Sequence, residues 1–97
     1  MKQHVTIMQS RSGERSYCAY GPSTKEKGKA TLFTTNKETM RAPWEFGISQ
    51  EPFWQCEREV RDRAVRQSRG CKWKHFPCDR ESIPDLETAD MSDAHSV

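Results

Sequence analysis

Two leucines, three isoleucines and four valines are all the branched aliphatic side chains this 97-residue chain carries. With four phenylalanines added, the large apolar residues stay below the roughly 20% at which disorder becomes a serious possibility. Self-repulsion does not reinforce that tendency, because 16 Lys and Arg against 14 Asp and Glu leave a formal charge of +2. Nine aromatics and four cysteines lie between residues 17 and 78. Each buried aromatic removes about 150–250 Å² from water. Any core is therefore built on rings and thiols, in one small domain.

The charge is unevenly placed. Residues 1–78 hold 15 basic and 8 acidic groups, and residues 79–97 hold one basic and six acidic. A basic body over 1–78 and an acidic, flexible tail over 79–97 are expected, with Ile83-Pro84 and Leu86 as the tail's only anchor. No segment approaches the roughly 20 apolar residues of a membrane helix, and the start lacks a signal-like apolar run. A soluble, cytoplasmic chain with reduced thiols follows as the expectation, with no membrane partner.

Local patterning predicts an α+β fold: a small antiparallel sheet, one principal helix and the acidic tail. His4 to Met8 alternates, Arg15 to Tyr20 is a second strand, and Ser10 to Glu14 with Gly13 is the hairpin loop between them. Gly21-Pro22-Ser23 ends that strand, the polar run Thr24 to Lys29 is an exposed loop with the makings of a contact surface, and Ala30 to Thr34 is a third strand. Thr35 and Glu38 have capping-box spacing for one helical turn to Arg41, stopped by Ala42-Pro43. The principal helix runs from about Gln50 to Arg69, with Phe53, Cys56, Val60 and Ala64 on its apolar stripe and Gly70 as its stop. Val5, Ile7, Tyr17, Ala19, Leu32, Trp44 and Phe46 are the expected other side of the core.

The residues that suit recognition are Arg58, Arg61, Arg63, Arg66 and Arg69 on that helix, with Lys72, Trp73, Lys74 and Phe76 after it. Guanidinium forks suit carboxylates and phosphates, and Trp with Arg dominates protein-binding hot spots. Three i,i+4 acid-to-base pairs, Glu57–Arg61, Glu59–Arg63 and Asp62–Arg66, also allow the plainer reading of a salt-bridged solvent face. Cys56, Cys71, His75 and Cys78 have the ligand types of a zinc site, but without the two tight pairs usual for one, so buried structural thiols are preferred and no cofactor is expected. A Cys71 nucleophile with His75 as base lacks an orienting third group. Phosphate-binding loops, zinc-protease helices and hydrolase elbows are absent from the sequence, and a non-enzyme is expected. Gly21-Pro22 and Phe76-Pro77 read as turns, with capture by a prolyl isomerase as the secondary reading.

The opening run Val5-Thr6-Ile7-Met8-Gln9-Ser10-Arg11-Ser12-Gly13-Glu14-Arg15 and the Trp-, Cys- and Arg-rich second half resemble small accessory proteins of temperate bacteriophages, among them the anti-RecBCD proteins of P22-like phages. The resemblance is one of length and character and carries no site residues. It implies a modulator that binds a larger intracellular host protein, such as a recombination nuclease. Direct nucleic-acid binding by the basic helix is the alternative, and a zinc module the third.

Overall fold

A computed structural model describes residues 4–48 and 71–96. Five strands form one sheet: β1 (His4–Gln9), β2 (Arg15–Pro22), β3 (Lys29–Thr34), β4 (Lys72–Pro77) and β5 (His95–Ser96). Their order is β3-β2-β1-β4-β5, with antiparallel pairing throughout. Among the described residues, a short helix, α1 (Lys37–Arg41), and 3-10 turns at Pro43–Phe46 and Arg80–Ser82 complete the regular structure. The expected α+β class with a small antiparallel sheet is the one observed. The expected helix over 50–69, its apolar stripe and Cys56 lie outside the described residues.

β1 is central, and that position explains its sequence. Side chains alternate between the faces of a strand, and here both faces are covered: Val5 and Ile7 are buried on one, Thr6 and Met8 on the other. On the first face Val5, Ile7, Tyr17 and Ala19 pack with Met40 of α1, Ile48, Ile83 and Met91. On the second, Met8, Cys18, Cys71 and Trp73 pack together with Phe33 beside them. Thr6 is a fully buried polar residue there, and its hydroxyl shares a 2.6 Å hydrogen bond with Nδ1 of His75 on β4.

The β1–β2 loop closes as its residues dictate. The Ser10 and Gly13 amides donate to Glu14 O at 2.8 Å and Ser10 O at 3.0 Å, and Gly13 has the positive φ of 93° that favours glycine. Asn36, one residue later than the expected Thr35, caps α1; its Oδ1 accepts from the amides of Glu38 at 2.8 Å and Thr39 at 3.2 Å. Standing directly before the first turn, the Asn36 carbonyl reaches both orphan donors, and this displaces the predicted box. Pro43 then starts a 3-10 turn that ends at Gly47, left-handed with φ 95°. Phe46, expected in the core, is instead 52% exposed, and Trp44 is only half-buried. The 3-10 geometry turns Pro43 and Ile48 inward in their place.

The acidic segment 79–96 does more than the loose tail expected of it. Its backbone is irregular, yet Ile83 and Met91 are buried in the core and Leu86, Ala89 and Ala94 pack against it. The anchor foreseen at Ile83-Pro84 and Leu86 thus extends across the sheet. Polar ties from the sheet complete it: Tyr17 donates its hydroxyl to Pro84 O at 2.6 Å, and Arg15 Nη1 donates to Leu86 O at 2.7 Å and Ala89 O at 2.8 Å. We call this segment the strap.

Candidate functional site

The Cys71-to-Cys78 segment, which holds the recognition candidates Lys72, Trp73, Lys74 and Phe76, is built into the sheet through β4. Its own alternation explains why. Odd-numbered residues face one side, so Trp73 is 5% exposed and packs with Met8 and Cys18, while Phe76 packs with the core of the other face. Trp73 is a core residue and not a surface anchor; its ring stacks on His95 of β5 with centroids 5.3 Å apart. Phe76 is half-buried beneath Lys74, whose ammonium lies 4.9 Å from the ring centroid. Lys74 is itself committed to the strap, donating to Asp93 Oδ1 at 2.5 Å and Asp90 O at 3.1 Å. Of the four recognition residues expected here, Lys72 alone projects freely as an exposed side chain. Arg58, Arg61, Arg63, Arg66 and Arg69 lie outside the described residues.

The same alternation dismantles the zinc set. Cys71 belongs to the cluster on one face and Cys78 to the cluster on the other, and seven residue steps of extended chain separate them by about 23 Å. Among the described residues no three His, Cys, Asp or Glu side chains gather as metal ligands. Cys71 and His75 share a face but stand four residues apart, about 13 Å along the strand, too far for a nucleophile and its base. Cys18 and Cys71 are buried free thiols. Burial raises the pKa of the half-buried Cys78 thiol above its ordinary value and keeps it protonated. Gly21-Pro22 and Phe76-Pro77, expected as turns, are instead the last residues of β2 and β4, with Pro22 opposite Lys29 and Pro77 opposite His4.

Two further surfaces stand out, of which the sequence marked only the Thr24 to Lys29 loop as a contact surface. The first is the outer side of the strap. Asp79, Glu81, Asp85, Glu87, Asp90 and Asp93 are all exposed. Hydrogen bonds from Ser82 hold Asp79 below the usual carboxylate range, hydrogen bonds from Ser92 do the same for Asp90, and the hydrogen bond from Lys74 does so for Asp93. Asp85 pairs with Lys37 of α1. Between the β1–β2 loop, the start of α1 and this part of the strap lies a cleft of about 700 Å³, lined by Arg15, Tyr17, Lys37, Asp85 and Leu86. The Lys37–Asp85 pair braces the two walls.

The second surface is the exposed Phe46 with the β2–β3 loop. Thr24 donates its amide to Gly47 O at 2.9 Å, and Ser23 forms an isolated bridge with Ile48, so the aromatic turn is docked against the base of the lysine-bearing loop. Ser23 Oγ accepts from the amides of Lys25 at 3.1 Å and Glu26 at 3.2 Å and shapes the loop's first bend. Lys25, Lys27 and Lys29 are exposed. Behind the turn, the Arg80 guanidinium stacks 4.5 Å from the Trp44 ring.

No helix among the described residues is long and apolar enough to cross a membrane. No protein-family model, curated protein or solved structure matches the chain, so its reading rests on these surfaces alone.

Proposed function

We propose that the protein is a non-enzymatic modulator that docks on a larger cytoplasmic protein, one that processes nucleic acid, and that it does so through the strap. The observation that carries this reading is that all six strap carboxylates are exposed and that, although Asp85 and Asp93 pair with Lys37 and Lys74 and Asp79 caps its own turn, Glu81, Glu87 and Asp90 take part in no ion pair among the described residues. Arg15 and Tyr17 hold backbone carbonyls, and Ile83 and Met91 supply apolar burial. The charge that remains is an ordered negative surface, complementary to the basic channels with which proteins hold phosphate backbones. A pre-ordered surface also loses less conformational entropy on docking than a loose tail would. The described thiols fit this role as packing groups within the sheet, which supports a binding protein more than a catalyst.

The test is affinity capture from cell extract with mass spectrometry, using the full chain and a triple variant, Glu81→Gln, Glu87→Gln, Asp90→Asn. A stoichiometric nucleic-acid-processing protein retained by the natural chain and lost with the neutralised strap is the expected result. Retention of no stoichiometric partner, or equal capture by both chains, would overturn it.

A further inference from the structure

We propose that Phe46 and the lysines of the β2–β3 loop form a binding site for single-stranded nucleic acid, separate from the strap. Phe46 is the large hydrophobic side chain left exposed among the described residues. Its position is not an accident of a loose loop. Pro43 and Ile48 are buried on either side of it, and the turn is closed by Gly47 N–H to Trp44 O at 3.4 Å and Ile48 N–H to Pro43 O at 3.2 Å. The chain therefore holds an aromatic ring in water on a hydrogen-bonded turn.

The neighbouring cations give that ring a chemical context. Lys25 lies along the turn: a Cβ placed on Gly47 would come within 3.3 Å of Lys25 Cε. Lys27 follows on the same loop and Lys29 opens β3 at its end, and none of the three takes part in an ion pair among the described residues, unlike Lys37, Arg41 and Lys74. Glu26 and Glu45 are the acids exposed in the same loop and turn. Three uncommitted ammonium groups against two carboxylates leave the local balance positive, on a protein whose acidic charge is concentrated in the strap.

A ring face for a base and mobile ammonium groups for the adjoining phosphates are the two parts from which sequence-tolerant single-strand sites are made. A duplex fits less well, because its bases are already stacked and offer Phe46 no free face. An acidic protein segment would use the lysines but gains no particular benefit from a flat ring in place of an aliphatic one.

The experiment is fluorescence anisotropy of a labelled oligothymidylate of about a dozen nucleotides, a length within the range of known single-strand sites, against the full chain between about 50 and 200 mM salt. Phe46→Ala should weaken binding roughly tenfold or more with the salt slope kept. The triple variant Lys25→Gln, Lys27→Gln, Lys29→Gln should lower the slope of log affinity against log salt by about 2. Both variants change exposed side chains, and melting curves matching the natural chain show that a loss of binding is a loss of contact. No binding at the lowest salt, binding insensitive to both variants, or poly-L-glutamate competing better than the oligonucleotide would overturn the proposal. The neutralised strap variant should keep oligonucleotide binding, so failure of partner capture and failure of this site are separate results.

Discussion

Arg15 is the residue on which the order of the strap most depends. It opens β2 opposite Gln9, whose Oε1 accepts from Arg15 Nε at 2.9 Å and so sets the plane of the guanidinium. Nη1 then reaches two strap carbonyls, Leu86 O at 2.7 Å and Ala89 O at 2.8 Å. Hydrogen bonds from a charged donor contribute about 1.5–3 kcal/mol net each. Because one nitrogen serves both, Arg15→Ala should cost about 2–4 kcal/mol, taken mainly from the attachment of the strap. Ile83 and Met91 stay in place and supply about 1.5–3 kcal/mol each by burial, so the strap loosens before the sheet does. In hydrogen exchange of the full chain, the Ala89 amide, bonded to Asp85 O at 3.0 Å, should exchange about 30- to 700-fold faster. The amides of β1 and β2 should change far less. Arg15→Lys, which keeps the charge but not the fork, should fall between. Unchanged protection at Ala89, or equal loss through sheet and strap, would refute the assignment of Arg15 as a local clamp. Partner capture should weaken in Arg15→Ala although every carboxylate is still present, because ordering the strap then becomes part of the binding cost.

Further predictions concern single groups. Tyr17→Phe removes the donor to Pro84 O and should destabilise by about 1–2 kcal/mol, read as a shift in the denaturant midpoint. Burial raises the Tyr17 pKa above its ordinary value of 10.0, so the folded state retains the phenolic proton longer than the unfolded one. Stability should therefore be intact below about pH 10 and fall as pH rises through the folded value, and the fall should be shallower in Tyr17→Phe. Asp79, Asp90 and Asp93 have depressed values, so the stability they confer is present above the usual carboxylate range and is lost as pH falls through their lower folded values. A melting series between neutral pH and about pH 2 should show that loss, and substitution of Asp79 by Asn should reduce it. Gly47→Ala should destabilise by about 1 kcal/mol or more, because φ is 95° and the new methyl meets Lys25 at 3.3 Å.

The parts of the fold that could be read from sequence are those whose burial has a period. His4 to Met8 alternates because successive side chains of a strand face opposite sides of the sheet, and Gly13 marks a loop that needs a positive φ. β4 obeys the same rule but hides it. Its two faces carry one ring each, Trp73 and Phe76, separated by Lys74 and His75, so the segment reads as a basic surface block. The compensation that makes a strand of it lies elsewhere in the chain. Thr6 meets His75 across 69 residues of sequence, and Asp93 meets Lys74 across 19. Phe46 failed in the opposite sense: its spacing from Trp44 suggests a shared buried face, and a proline-initiated 3-10 turn destroys that spacing.

The strap shows why composition misjudges an acidic segment. Its own apolar content is too low to fix a chain of that length, and the estimate is correct for the segment taken alone. What it omits is that the sheet brings the donors. Arg15 and Tyr17 bind main-chain carbonyls, groups that every residue has and that leave no mark in a sequence. The strap can therefore be as acidic as its function demands while order is maintained from the other side of the contact. Substitutions at Glu81 or Glu87 should then leave the fold intact and change recognition alone, whereas Arg15, remote in sequence from the strap, should change both. That contrast, measured by exchange at Ala89 and by partner capture on the same variants, separates an ordered recognition surface from an acidic tail that is merely soluble.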